Sequence, residues 1–184
     1  STQSEALELL TSGLNDNTKL VAISHIQYTC GLRMPIKEIA EAAHKLDIPV
    51  LIDGAQSFGQ VDVNLDDLGC DFYALPGQKW LLGPGGTGAL YVNNRRRHIL
   101  EPMFTTNAIE AIRESERLPM ARFSLVSQNP ALLTGFLESM RLATSIGITE
   151  IEQRSMHLAD LLRERVLPIE SCTLLSPTSQ ESAC

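Results

Sequence analysis

The 184 residues carry 22 acidic and 15 basic side chains, for a net charge of −7, and 43% of them are hydrophobic. That balance suits one globular domain with a real core and argues against a broadly basic nucleic-acid or membrane-surface binder. No apolar run approaches the roughly 20 residues of a membrane span, and the first residues lack a basic-then-apolar signal pattern. Cys30, Cys70, Cys172 and Cys184 show no CxxC pair or metal-type spacing, and read as free thiols of a cytoplasmic protein. A start at Ser1 without methionine and a polar ending over 176–184 suggest a piece of a longer protein.

Taken in chain order, EALELLTS (5–12) reads as a short helix ending near Gly13, and KLVAIS (19–24) as a buried strand. Between Met34 and Asp47, Ile36, Ile39, Ala40, Ala43 and Leu46 recur at helical spacing, with Pro35 suited to the first turn. PVLID (49–53) is an apolar strand ending in an acid, and 64–68 is a single helical turn capped by Asn64. DFYAL (71–75) and GALYV (88–92) are two more strands. Helices follow over 130–146 and 148–166, the second with Leu158, Leu161, Leu162 and Val166 on one face. The rhythm is α/β, and continuous apolar strands predict a mostly parallel sheet covered by helices. Ligands of such sheets gather at the carboxyl ends of the strands, which puts Ser24, His25, Asp53 and the Pro76–Lys79 turn along one edge.

Asp53 and Lys79 each close a strand. A carboxylate at the lip of a dry sheet needs a positive or hydrogen-bonding partner, and a partly desolvated lysine becomes a nucleophile toward carbonyls. Pyridoxal 5'-phosphate uses both groups, the lysine as its Schiff-base partner and the acid opposite its pyridinium nitrogen. A surface salt bridge, or two unrelated loop charges, is the plain alternative. GPGGTG (83–88) fits G-x-G-x-x-G formally, but the dinucleotide version opens a helix and this one runs into a strand. Gly77-Gln78-Lys79-Trp80 lacks the Gly-Lys-Ser/Thr of a nucleotide phosphate loop. His25 reads as packed or hydrogen-bonded at a strand end, Trp80 as a core anchor, Cys30 as a small buried hydrophobe, and RRRH (95–98) as a solvated loop. His44 and His157 lie in helical patterns and carry no separate signal.

DGAQ (53–56) with Lys79 in GQKWLLGP, preceded by Ser24-His25, Cys30-Gly31 and PIKEI (35–39), resembles the class V branch of the fold type I pyridoxal-phosphate enzymes. That branch holds cysteine desulfurases, cyst(e)ine C–S lyases and aminotransferase-like relatives. The resemblance runs from about Lys19 to Val92, with an echo at RFSLVSQNPA (122–131). It implies that Lys79 carries the cofactor and shuttles the substrate's alpha proton, that Asp53 pairs with the pyridinium nitrogen, and that Gln56 hydrogen-bonds the ring's phenolic oxygen. Gln78, where His is commoner, and Ser127, where Thr is usual, would hold the phosphate, Ser127 across a homodimer interface. His25 is a further candidate at the cofactor. Pro76 stands in place of a phosphate-binding Ser or Thr, and Tyr28 in place of an Asn at the ring. The resemblance also implies that 1–168 is part of the cofactor-binding large domain and that 169–184 begins a small C-terminal domain. The expected chemistry is elimination, desulfuration or transamination of an amino acid substrate. A non-catalytic α/β module that kept the fold without the cofactor is the other reading.

Overall fold

The computed structural model describes residues 2–101, 123, 129–177 and 181–182. In chain order the elements are α1 (Gln3–Gly13), β1 (Val21–Ser24), α2 (Ile36–His44), β2 (Val50–Asp53), α3 (Leu65–Leu68), β3 (Phe72–Pro76), β4 (Gly88–Val92), a 3-10 turn (Arg97–Ile99), α4 (Pro130–Ile146) and α5 (Ile148–Val166). The local causes are those the sequence offers. Thr2 and Glu5 close a capping box on α1. The Asn64 side chain accepts from the Asp66 and Asp67 amides. Asn129 caps α4 with Pro130 in its first turn. Gly147, at φ 98, makes the break between α4 and α5 in a conformation that disfavours any residue with a Cβ.

The sheet has the order β1-β2-β3-β4, with the first three strands parallel and β4 antiparallel to β3. Register places Ser24 beside Asp53, and Asp53 beside Ala74. Alternation along β2 buries Val50 and Ile52 completely and leaves Leu51 half-buried. Ile36, Ile39, Ala40 and Ala43 of α2 pack with Val50, Ile52 and Tyr73 in the main core, and α1 adds Ala6, Leu7 and Leu10 at its margin. Full burial of each of Ile36, Ile39, Val50 and Ile52 contributes about 1.5–3 kcal/mol. Leu46, counted in the helical stripe, lies beyond the end of α2 and is exposed, because the chain turns through a positive φ at Asp47. The Leu158, Leu161 and Leu162 face of α5 is also exposed, and no residue of that helix is buried. A second cluster joins Phe136 and Ala143 of α4 to Leu81, just after the lysine.

At the opposite edge of the sheet from Asp53, Asp71 is fully buried at the entrance to β3. Its Oδ2 accepts from the Val50 amide at 2.9 Å and lies 2.8 Å from His44 Nε2. Its Oδ1 has no hydrogen bond but lies 3.5 Å from Arg95 Nε and 3.4 Å from Arg96 Nε. Arg96 also pairs with Asp47 at 2.7 Å. The RRRH segment is therefore no simple solvated loop: two of its arginines neutralise a buried carboxylate, and His44 serves the same acid. Its own burial, and second the neighbouring Asp71 charge, push the Cys70 thiol up to about 11. Asp71→Ala should cost about 1–3 kcal/mol in urea unfolding, because it leaves the buried Val50 amide without its acceptor and takes away the shared partner of His44, Arg95 and Arg96. Lys37→Ala, which breaks the exposed Lys37–Asp67 pair, should cost under about 1 kcal/mol.

Candidate active site

Asp53 and Lys79 come to the same place. A depression of about 540 Å³ is lined by Asp53, Ala55, Ala74–Pro76, Gln78, Lys79 and 86–89. A smaller one of about 180 Å³, lined by Ser24, Ile26, Tyr28, Asp53, Ala55, Gln56 and Lys79, adjoins it. Asp53 Oδ1 accepts from the Ala55 amide at 2.9 Å. No ion pair joins Asp53 to Lys79, and the Lys79 amine makes no hydrogen bond among the described residues. Both side chains are exposed rather than partly desolvated, because nothing among the described residues covers this end of the sheet. The salt-bridge alternative is thus not what the chain forms.

The lysine turn is rigidly built. The Gly77 amide donates to Thr87 O at 2.8 Å, the Gly83 amide to Gly77 O at 2.8 Å, and the Leu82 amide to Lys79 O at 2.9 Å. A Cβ on Gly77 would stand 2.1 Å from Thr87 Oγ1 and 2.7 Å from the Phe136 ring, so only glycine allows this closure. Leu81, 4% exposed, drives the turn into the apolar cluster with α4. Trp80, 43% exposed, is not the core anchor it was expected to be. The Lys79–Leu82 turn sends successive side chains in different directions, and Leu81 takes the inward one. Trp80 instead donates its indole N–H to Gln56 Oε1 at 3.1 Å.

Beneath Asp53 lies a polar chain that the sequence did not announce. His25 is 2% exposed, and its Nδ1 is 3.0 Å from the Tyr73 hydroxyl, which is 2.5 Å from Ser57 Oγ. The His25 amide donates to Asp53 O at 2.9 Å, and the Gly54 amide to Ala74 O at 2.8 Å. Gly54 is needed here, since a Cβ would fall 2.0 Å from the Tyr73 ring. The His25 ring lines neither depression; it holds Tyr73 under the Asp53 turn. Burial, with the nearby Arg33 charge second, lowers its pKa from 6.5 to about 4. Gln56 and Gln78 lie at the rims of the two depressions, and exposed Tyr28 faces the smaller. Ser127 falls outside the described residues, as do Arg122, Ser124 and Val126 of the RFSLVSQNPA segment. Cys30 is half-buried against the main core. The Tyr73 and Ser57 roles could have been suspected from a tyrosine inside a buried strand, which needs a partner for its hydroxyl.

A carboxylate and an amine that form no ion pair thus share the carboxyl edge of the parallel strands, the edge at which ligands of α/β sheets gather. The family is set by comparison: the model of the aminotransferase class-V family matches residues 1–184, and the chain belongs to that family. A probable cysteine desulfurase of Halalkalibacterium halodurans is 32% identical over 176 residues, covering 93% of this chain and 43% of that protein. A solved complex of the cystine C-S lyase C-DES with its reaction product cysteine persulfide is 25% identical, with a TM-score of 0.77, covering 90% of this chain and 46% of that one. A C-DES variant with glycine covalently linked to its PLP cofactor shares the fold at 24% identity and TM-score 0.77. The chain spans somewhat under half the length of the relatives it matches.

Two outcomes follow for the support beneath the site. His25 is neutral in the fold above pH about 4, whereas the unfolded chain takes up a proton below 6.5. Its contribution is complete above pH 6.5 and lost as pH falls toward 4, by about 3 kcal/mol. Denaturation midpoints from pH 7 to 4 should show this loss, and His25→Gln should flatten that part of the profile. Gly54→Ala should destabilise by about 1–3 kcal/mol or more through the clash with Tyr73.

Proposed function

We propose that the whole protein containing this chain is a pyridoxal-phosphate enzyme that acts on an amino acid, with Lys79 as its covalent attachment point. The observation that carries this is the unpaired Asp53 and Lys79 at the mouth of one depression, with no ion pair between them. Had the two charges served only each other, they would have closed the gap that a ring needs. Family membership supports the same reading. The residues fit the group: Lys79 Nζ would hold it covalently, Asp53 would accept from its ring N–H, and Gln56 would meet the ring oxygen. Gln78 and Ser127 would grip the phosphate, and His25 supports the Asp53 turn from beneath. When bound, the cofactor supplies an electron sink for the substrate's alpha carbon.

The chain's own residues then do three things. Asp53 keeps a positive charge on the ring side it faces. Lys79, once the substrate's amine has displaced it from the covalent link, would take the alpha proton on its freed Nζ and return it at a later step. The Leu81-anchored turn keeps that amine in place while it does so. The names of the relatives favour desulfuration or C–S lysis over transamination for the substrate chemistry. We assign 1–168 to the large cofactor-binding domain, with 169–184 leading into a small C-terminal domain, and expect a cytoplasmic homodimer. The exposure of both Asp53 and Lys79 favours a second reading, a module that keeps the fold without the cofactor.

Adding pyridoxal phosphate to the full-length protein, reducing with borohydride and mapping peptides should place the label on Lys79. Lys79→Ala should abolish the label and lower turnover by about 10²–10⁴-fold. A label on another lysine, or saturable binding nowhere, supports the module instead. Pyruvate release from cystine without a keto-acid acceptor identifies elimination, whereas dependence on the acceptor identifies transamination.

A further inference from the structure

We infer that Trp80 is a positioning residue that decides which end of the Gln56 amide faces the site; this rests on the cofactor reading above. The contact is Trp80 Nε1–H to Gln56 Oε1 at 3.1 Å. An indole N–H can only donate, so it can pair only with the oxygen of an amide. That pairing fixes the rotation of the Gln56 side chain and leaves its NH2 group as the free end. Gln56 lines the smaller depression together with Asp53 and Lys79, so toward a ligand there it acts as a donor. A flipped amide would instead present an oxygen to the ring oxygen of the cofactor, which is itself an acceptor.

The arrangement also ties two functions to one turn. Trp80 follows Lys79 directly, and the turn carrying both is fastened by Leu81 and by the Leu82 amide on Lys79 O. The segment that presents the amine therefore also sets the amide, although Gln56 sits 23 positions earlier on the loop after β2. Trp80 does this from the surface rather than from the core, which explains why a large aromatic ring stays 43% exposed beside the lysine.

The test uses the full-length protein loaded with pyridoxal phosphate, with Lys79 labelling by borohydride as its entry check. A donor to the charged form of a titrating group favours that form. Trp80→Phe should move the pH midpoint of the cofactor's absorbance change upward by about 0.5–1 pH unit. Gln56→Ala should move it at least as far, and the double variant should match Gln56→Ala alone. A labelled Trp80→Phe protein that titrates as the wild type, or whose shift adds to that of Gln56→Ala, overturns this inference alone. A wild-type protein without a label on Lys79 overturns the cofactor reading beneath it. The contact itself is checked without cofactor: the Trp80 emission, isolated as the difference between wild type and Trp80→Phe, should shift in Gln56→Ala. An unshifted emission overturns the contact. Because Trp80 is half-exposed, the phenyl replacement leaves the core packing intact.

Discussion

The Tyr73 hydroxyl is the point on which the rest of the site depends. It sits in the interior with no solvent access, and a phenol there must find partners or cost the fold a desolvated polar group. It finds His25 just beyond β1 and Ser57 on the loop after β2. One side chain of the third strand thereby joins the carboxyl ends of the first two, its neighbour β2 and the strand beyond it. Asp53 follows Ile52, the register partner of Tyr73, and Lys79 lies six positions after Tyr73 in the turn that leaves β3.

The two edges of the sheet treat charge in opposite ways. At the amino edge Asp71 is buried, and His44, Arg95, Arg96 and a backbone amide close around it. A carboxylate in that setting persists only because its partners are also held, and losing one leaves an uncompensated charge. At the carboxyl edge Asp53 and Lys79 are left open, and no ion pair joins them. The charge-neutralised edge serves stability, and the open one leaves its two charges to solvent. A net charge of −7 conceals this division entirely.

The lysine turn shows how a small amount of apolar packing can place a charged group. Lys79 itself is exposed and could not hold a position by its own burial. Leu81, two residues on, is sunk between α4 and the loop after β2, while Gly77 and Gly83 let backbone approach backbone at the neck of the loop. Trp80 then spans the remaining distance to Gln56. Anchor, amine and indole point different ways because a tight turn separates them, so the amine owes its position to neighbours that it does not touch.

The order of the helices and strands, and nearly every boundary, was legible in the sequence, because caps, glycines and apolar spacing are local signals with local causes. The strand-end positions of Asp53 and Lys79 were legible for the same reason. What the sequence could not disclose were partnerships between residues far apart in the chain. His25 with Tyr73, Trp80 with Gln56, and Asp71 with His44 and the two arginines are each separated by 24 or more positions. Trp80 was misread as core for that reason: aromatic character predicts burial, but the direction of a side chain leaving a turn is set by the hydrogen bonds of the turn. Sequence settles what each segment prefers to be, since that energy is paid within a few residues. Which buried polar atom satisfies which other is settled only when the sheet brings their strands side by side.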